Sequence, residues 1–456
     1  MKKTYGVCLG LLALGLVGIG APAAHARSLS TASEAGNETT ATTAASTTTA
    51  SNQVDNALVA ESDEKDTAAP AADAPQDQGT PAQAAPAAAA PAAPAPAPLS
   101  SPSMTAPLST AIPHEISAGP FGKLQVTGIL SGGGMVEGDH VVPGPIAHWD
   151  LSNAQVFVQK TSGWFQFYLQ GGAYNVLAIG TPFVGTGEQV RDTYGPLPVG
   201  YIKLVKGGFS LQAGELPTLI GAEYTFSFEN LNIERGLLWA QEPAISRGIQ
   251  LNEAYKKLSL SFAYTDGFFS NRYTTLSGSL AYAFNAANTL SFVASGNAGA
   301  YARTSNLATP LLQNNSEVYN VIYTYTREKV TVTPYFQYTS VSKNPSIGIL
   351  EGGHTASGAI MANYNFKHGF SLPARVEYIK SAGGSPTDVN SINLLYGPGS
   401  GAVSFTVTPT YQKDGFFLRG EFSYVHITSL TPGFGFQTNG TSANQPRGVI
   451  EAGVMF

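Results

Sequence analysis

One long connection in the chain concentrates carboxylates among apolar residues. Residues 216–246 contain four glutamates and one arginine, namely Glu223, Glu229, Glu234, Glu242 and Arg235. Carboxylates that face a narrow aqueous passage lower the electrostatic potential there and favour cations over anions. The chemistry that this segment predicts is therefore a mild electrostatic preference for cations.

Further charged residues fall on one face of the strands predicted to surround that connection. By two-residue parity, five side chains point inward: Lys203, Arg375, Glu377, Arg419 and Glu421. An arginine surface opposite a glutamate-bearing loop creates a transverse field. Two interpretations stay open for each residue, because it either lines the passage or pairs with a neighbour and only fixes the loop.

The histidines do not predict a catalytic or metal site. After the amino-terminal leader they are scattered, at His114, His140, His148, His354, His368 and His426. No pair has a ligand spacing, and no phosphate-binding glycine motif or nucleophile elbow is present. We therefore predict that the protein is not an enzyme and has no cofactor.

The elements that must position the charges are strands. Apolar and polar residues alternate along most of the chain after Phe121, as in Leu258, Leu260 and Phe262 against Ser259 and Ser261. The polar face carries Ser, Thr, Asn and Gln, which suit a wet interior. Charged residues are only 12% of the chain, about half the usual share in a globular protein.

The connections between the strands are of two kinds. Short turns lie near 161–163, 206–208, 256–257, 286–288, 327–329, 367–369 and 413–415. Long loops alternate with them, at roughly 132–147, 176–195, 216–246, 267–273, 298–316, 340–354, 382–401 and 428–446. This alternation predicts an all-β fold: an antiparallel transmembrane barrel of about sixteen strands. The alternative is a large soluble β protein such as a lectin or a propeller.

The third long loop is too apolar to lie in solvent. It contains Leu219, Phe226, Phe228, Leu237 and Trp239, and apolar loop residues need a covering surface. About sixteen strands leave a lumen wide enough to receive a loop. We therefore predict that the third loop folds inward and narrows the passage.

The carboxyl-terminal strand ends on an aromatic residue. Ile450, Ala452 and Val454 alternate with other residues before Phe456, as expected for a strand that has one face in lipid and closes a barrel. In this register Glu451 lies in the lumen, near Lys123. The strand also predicts recognition by the barrel-assembly machinery.

Two segments precede the strands. Residues 1–26 have a basic start, a short apolar core with the only cysteine, Cys8, and a small-residue cleavage site, as in a secretory signal peptide. Residues 27–120 are rich in Ala, Thr and Pro, acidic, and free of aromatic residues from Arg27 to Pro120. They predict a disordered linker, and the barrel is predicted to span 121–456.

The sequence resembles the outer-membrane porins, and in particular the OmpL-like putative β-barrel porin family. The resemblance rests on the segment from Leu211 to Tyr224, followed by Asn230–Arg235 and Ser246–Asn252, and covers about 121–456. It implies passive diffusion of small hydrophilic solutes across the bacterial outer membrane. It implies no catalytic residues.

Two other functions stay open. In the first, the third loop plugs the lumen and the barrel has a structural or adhesive role. In the second, the channel selects carbohydrates, whose faces stack on the inward aromatic residues Tyr168, Tyr201, Tyr335 and Phe417. The predicted partners are outer-membrane lipids and lipopolysaccharide, with a homotrimer as one assembly and no nucleic acid. Transported solute, pore size and oligomeric state do not follow from these residues.

Overall fold

The computed structural model describes Leu108 and residues 113–141, 145–300, 311–384 and 396–456. The predicted signal peptide, and the predicted linker up to residue 112 apart from Leu108, lie outside these residues. In the part of the chain that is described, no helix has both the length and the apolar composition needed to cross a membrane.

Strands dominate the described residues. They are β1 His114–Ser117, β2 Lys123–Glu137, β3 Ala147–Lys160, β4 Phe165–Tyr174, β5 Val199–Lys206, β6 Phe209–Pro217, β7 Ile245–Tyr255, β8 Leu258–Thr265, β9 Thr275–Asn285, β10 Asn288–Asn297, β11 Glu317–Arg327, β12 Val330–Val341, β13 Gly353–Asn365, β14 Phe370–Gly383, β15 Gly401–Val407, β16 Thr410–Lys413, β17 Phe416–Ile427 and β18 Asn444–Met455. The helices are short: α1 Thr186–Asp192, α2 Leu311–Asn314, and 3-10 turns at Gly119–Phe121, Ser227–Glu229, Trp239–Gln241 and Pro345–Ile347.

The wall of the barrel closes when the last strand meets the first. Apart from β15 and β16, each strand from β2 onward pairs antiparallel with the next, and β18 pairs with β2 through a register that runs from Arg447 opposite Glu137 to Met455 opposite Ile129. Strands β15 and β16 pair with the same neighbours, β14 and β17, and are separated at Pro409 because proline has no amide hydrogen to donate. Counted as one strand, they give a closed barrel of 16 strands, which confirms the predicted fold class.

Side-chain alternation separates the outer surface from the lumen. Along β17, Phe416, Leu418 and Phe422 are exposed on the outside, whereas Arg419 and Glu421 are buried inside. A closed barrel satisfies every backbone hydrogen bond of its wall, which a lipid environment demands. The apolar outer face and the polar inner face thus follow from one two-residue period.

The turns agree with the predicted topology. The seven short connections between the wall strands lie at one rim, and the long loops, including helices α1 and α2, lie at the other. We refer to these as the periplasmic and outer rims, because bacterial outer-membrane barrels have short periplasmic turns.

Order begins earlier than residue 121. Strand β1 pairs with the start of β2, from His114 opposite Val126 to Ser117 opposite Lys123, along an edge that β18 leaves free. The Nζ of Lys123 lies 2.6 Å from Glu115 Oε2. Glu451 is opposite Gly133, roughly 34 Å along the strand from Lys123, so the predicted proximity of Lys123 to Glu451 is wrong.

Candidate functional site

The third loop, 218–244, connects β6 to β7 and lies inside the barrel. Every residue of 220–246 is buried, and backbone and side-chain atoms of the loop contact β3 on one side and strands between β11 and β18 on the other. The amide of Thr218 donates to the carbonyl of Ala244 over 3.1 Å, so the two ends of the loop remain cross-strand neighbours. The loop therefore leaves the wall and returns to it at the paired ends of β6 and β7, and the residues between them lie in the lumen.

Apolar residues anchor the periplasmic side of this loop. The rings of Phe226 and Phe228 are stacked 5.9 Å apart, and they contact Tyr174 and Phe157 of the wall with centroid distances of 5.1 and 5.5 Å. Trp239 belongs to the same cluster. Burial of these large rings explains why the loop turns inward instead of lying in water.

Arg375 of β14 is the first of three wall arginines that bind the loop. Its Nη1 lies 2.5 Å from Glu223 Oε1 and 2.9 Å from the Glu234 carbonyl, and its Nε lies 3.1 Å from Glu377 Oε2. The Glu377 Oε1 accepts from the amide of Leu238 over 3.2 Å. Burial raises the pKa of Glu223, and Arg375 opposes that shift.

Arg419 of β17 binds the loop mainly through backbone carbonyls. Its Nη1 donates to Ser227 over 2.9 Å, and its Nη2 donates to Asn230 over 3.0 Å and to Leu231 over 2.7 Å. Glu451 of β18 completes the contact, 3.4 Å from Nη1. The guanidinium therefore fixes the backbone of one turn of the loop, and these bonds do not depend on the side chains of that turn.

Arg447 of β18 holds the loop from the outer rim. Its Nη1 lies 2.9 Å from Glu234 Oε1 and donates to the Ala178 carbonyl over 2.9 Å. Its Nη2 lies 2.8 Å from Glu137 Oε2 on β2, an ion pair that lacks hydrogen-bond alignment. One arginine thus joins the third loop to both strands of the barrel seam.

Glu421 of β17 accepts hydrogen bonds from the loop backbone. Its carboxylate accepts hydrogen bonds from the amides of Ile233 (2.5 Å) and Glu234 (2.9 Å) and from the Thr408 hydroxyl (2.6 Å). Thr408 lies at the break between β15 and β16. The wall therefore offers both hydrogen-bond donors and acceptors to the loop. They satisfy polar groups of the loop that would otherwise be buried without a partner.

Arg235, the loop's own arginine, binds carbonyls instead of carboxylates. Its side chain donates to Thr225 over 3.2 Å and to Leu177 over 3.2 Å, and it also contacts the Ile233 carbonyl. Its backbone forms an isolated parallel bridge with Ala178. Burial lowers its pKa to about 10. Arg235 thus joins the third loop to the second.

In the described part of the chain, two loop glutamates have no arginine partner. Burial raises the pKa of Glu229 and of Glu242 to about 8 each. Glu229 Oε2 accepts from the Phe226 amide over 3.2 Å and Glu242 accepts from the Tyr335 hydroxyl. The other oxygen of each carboxyl has no partner among the described residues. A Cβ at Gly221, which has a φ of +79°, would overlap the Glu242 carboxyl.

Acidic groups are in excess around the loop. The buried carboxyls are those of Glu137, Glu223, Glu229, Glu234, Glu242, Glu377, Glu421 and Glu451, and the buried guanidinium groups are those of Arg235, Arg375, Arg419 and Arg447. We call these residues the lumenal charge cluster. Eight carboxyls against four cations leave a negative surplus when all are ionised. Lys203, on β5, is half-buried and makes no ion pair with a described residue.

The inward aromatic residues contact different partners and do not form one group. Tyr168 and Tyr201 stack with centroids 5.6 Å apart. Tyr335 binds Glu242, and Phe417 is fully buried in the apolar cluster of the loop. These four residues have the predicted inward orientation, but they do not form one row along the lumen.

Three residues of the site were missed by sequence reasoning. Glu137 fell within the segment 132–147, which was assigned to a loop and begins with Gly132–Gly134, and Arg447 lies immediately after the segment 428–446 assigned to another loop. Counting parity back from Phe456 identifies Arg447 as an inward residue. The third is Asp266, which lies just beyond the loop and accepts a hydrogen bond of 2.8 Å from Arg247 Nε.

The predicted absence of a metal site was based on scattered histidines. Within the described ranges, no three His, Cys, Asp or Glu side chains form a group that could hold a metal ion. His148 stacks on Phe183 at 4.3 Å, and His426 Nδ1 lies 2.8 Å from Asn444 Oδ1. The Nε2 of His148 also lies 3.9 Å from Glu137 Oε1.

Comparison with known proteins identifies one family. The model of the family described as putative beta-barrel porin-2, OmpL-like, matches residues 124–456, a range that runs from the second residue of β2 to the end of the chain and contains the third loop. No curated protein matches the chain in sequence.

Solved structures of similar shape include outer-membrane proteins. In-vitro folded OmpT of Vibrio cholerae is 12% identical, covers 75% of this chain and 100% of its own, and has a TM-score of 0.49. The outer membrane channel DcaP of Acinetobacter baumannii is 9% identical, with 73% and 97% covered and a TM-score of 0.46. A mutant of the Rh. blastica porin is 12% identical, with 73% and 100% covered and a TM-score of 0.42.

Proposed function

Because the chain belongs to the OmpL-like putative β-barrel porin family, we propose that it lets small hydrophilic solutes diffuse passively past its third loop, with a mild preference for cations. The barrel lies in the bacterial outer membrane, as expected for a porin with an apolar outer face. The observation that carries the proposal is the inward third loop, which is held in the lumen by the charge cluster. The proposed activity needs no catalytic residue and no cofactor.

Passage past the loop requires local separation of the loop from the wall. Residues 220–246 are buried throughout, so a solute that crosses must replace some of the contacts between the loop and the wall. The polar character of those contacts supports such a step, because water can solvate separated carboxylates and guanidinium groups at a modest net cost.

Conductance of the purified full-length protein in planar bilayers tests this function. Stepwise openings in potassium chloride are expected. A bilayer that stays silent after insertion has been verified, for example by protease protection, would contradict passive diffusion and would support the second candidate.

The second candidate is a structural or adhesive barrel with a plugged lumen. The complete burial of 220–246 favours it, since no described residue of the loop core keeps an exposed face. In this case the long loops at the outer rim would bind partners and the ion pairs would serve stability alone. The conductance measurement above separates the two functions.

The first prediction concerns ion selectivity. In a salt gradient, the reversal potential of Glu223→Gln with Glu234→Gln is expected to shift towards zero, because two carboxylates of an acidic surplus are lost. Glu328→Gln, in an exposed periplasmic turn, is the matched control and should leave the potential unchanged. A chloride preference of the wild type that both substitutions leave intact would contradict a cation-preferring loop.

The second prediction concerns pH. The pKa of Glu229 and of Glu242 is about 8 in the folded protein and near 4.3 in an unfolded chain, so the folded state binds more protons between these values. Their burial therefore costs nothing below about pH 4 and becomes increasingly destabilising up to about pH 8. As both groups ionise, cation preference is expected to rise between pH 7 and 9.

Reversal potentials at a series of pH values measure this effect. Glu229→Gln with Glu242→Gln should remove most of the rise, because neither position can then ionise. A rise of equal size in this double variant would assign the titration to other groups.

A further inference from the structure

The third loop makes its polar contacts with only one side of the barrel wall. Within the described ranges, the hydrogen bonds and ion pairs that join residues 219–243 to wall strands go to β3 or to strands between β11 and β18. Towards β10 the loop has an apolar contact instead, because Ile220 belongs to one cluster with Val293. The loop is therefore bound off-centre, and a solute that passes on the side of β6–β9 has the fewest contacts to replace.

On that other side, inward side chains are open to water. Gln212 of β6, Asn252 of β7, Ser261 of β8 and Ser279 of β9 are partly exposed, although they point into the lumen. On β17, by contrast, every inward residue from Phe417 to Ile427 is buried. Water therefore reaches the inner wall along β6–β9 and is excluded from it where the loop is bound.

A cavity lies between the stem of the loop and this part of the wall. Its lining includes two loop residues and one inward residue from each of β7, β8 and β9: Leu219, Pro243, Gln250, Ala263 and Ser277. Ala263 is opposite Ser277, and Ser261 opposite Ser279 is the next inward pair towards the periplasmic rim. The cavity and the partly exposed residues are thus adjacent along the wall.

The wall on this side carries short, uncharged side chains. The inward residues of β8 and β9 are Ser259, Ser261, Ala263, Thr265, Thr275, Ser277, Ser279, Ala281 and Ala283. Side chains of this length cannot fill the lumen of a 16-stranded barrel. On the opposite side, long arginine and glutamate side chains close the distance to the loop. The free space therefore lies along β6–β9.

Hydroxyl and amide groups line this space. The Oδ1 of Asn252 accepts from Gln250 Nε2 over 2.7 Å and from Ser261 Oγ over 2.8 Å, and its Nδ2 donates to Ser210 Oγ over 3.3 Å. Such groups can form more hydrogen bonds than these, so they can replace part of the water around a passing solute. Among the inward residues of β7–β10, all of which the structure describes, none is charged. This chemistry suits uncharged polar solutes.

We propose that the solute path runs between the third loop and the inner face of β6–β9, and that it takes small uncharged polar molecules such as polyols. Its hydrogen-bonding lining consists of Gln212, Gln250, Asn252, Ser261 and Ser279. The path deepens the proposed function and rests on it, because it has a meaning only in a barrel that conducts. The three wall arginines then hold the loop on the far side and do not touch the solute, and the acidic surplus acts from across the loop.

Thiol accessibility tests the position of the path without reference to conductance. In a Cys8→Ser background, Ser279→Cys and Ser357→Cys each provide the only cysteine of the full-length protein. Both serines point inward and are the fifth residue of a strand that begins at the outer rim, but Ser357 of β13 is only 3% exposed on the side where the loop is bound. In lipid nanodiscs, sulfonatoethyl methanethiosulfonate is expected to label Ser279→Cys at least about tenfold faster, since a buried site reacts only after local opening. The two rates should become equal in denaturant. Equal rates in the native protein, or faster labelling of Ser357→Cys, would overturn the path.

Flux through the modified protein tests whether solutes take this path. After modification of Ser279→Cys, the swelling of liposomes in erythritol and the single-channel conductance are expected to fall at least about twofold, because the added sulfonate occupies the passage. The same treatment of Ser357→Cys should leave both unchanged.

The possible failures of this experiment are distinguishable. Swelling and conductance that persist unchanged after complete modification of Ser279→Cys would overturn the path in a barrel that conducts. Conductance without swelling in erythritol would overturn the assignment to uncharged solutes. Silent bilayers together with absent swelling would reject the proposed conduction and the path with it.

Discussion

Replacing residues 219–243 by Asn-Gly is expected to raise the single-channel conductance several-fold and to remove most of the ion selectivity. Thr218 and Ala244 are hydrogen-bonded neighbours on antiparallel strands, so a two-residue turn joins them without strain. The wall keeps its ladder, since β6 and β7 pair as far as Pro217 opposite Ile245. The material removed is the part of the chain that fills the lumen.

The matched control shortens a loop that stays outside the lumen. Asn344 and Ile349 form an isolated antiparallel bridge, and replacing residues 345–348 by Asn-Gly leaves the third loop intact. This variant should conduct like the wild type. If the shortened third loop also left conductance unchanged in barrels that are demonstrably folded, the loop would not be the barrier, and another part of the chain would close the lumen.

Arg375→Met is expected to cost about 3–5 kcal/mol of the free energy of unfolding, the usual loss when one partner of a buried ion pair is removed. Glu223 and Glu377 would be left buried and facing each other without their shared cation. The measurement is a urea titration of the protein refolded in lipid vesicles, followed by gel mobility and tryptophan fluorescence. Frequent channel openings should accompany the loss, because the loop is released from β14.

Two further variants make this result specific. Arg327→Met removes an exposed arginine that lies 3.9 Å from Glu328, and little change in stability is expected for such a surface pair. Adding Glu223→Gln and Glu377→Gln to Arg375→Met should recover part of the lost stability, since the stranded charges disappear. A triple variant no more stable than Arg375→Met would locate the loss in packing instead of charge.

The barrel itself could be predicted because its rules are local. A pleated strand alternates its two faces by geometry, so parity alone placed Arg375, Glu377, Arg419 and Glu421 in the lumen. The same rule and the alternation of short and long connections gave the number of strands. The run Gly132–Gly134 hid the end of β2, and Asn444 and Pro446 hid the start of β18, since such residues are equally typical of loops.

The pairing inside the lumen could not be predicted from these rules. Whether Glu223 lines a passage or binds Arg375 depends on the path of a loop that no periodicity describes. The structure places Glu223 and Glu234 in ion pairs, whereas Glu229 and Glu242 have no arginine partner among the residues it describes.

The contacts of Arg447 couple the closure of the barrel to the position of the third loop. This arginine of the last strand stands opposite Glu137 of the first and also binds Glu234, from the middle of the chain. Its neighbour Glu451 holds Arg419 in place on the loop backbone. Of these contacts, the pair of Arg447 with Glu137 is the one that spans the seam and forms only when the two ends of the wall are joined. Closure of the cylinder and the position of the central loop are therefore coupled through a single guanidinium group.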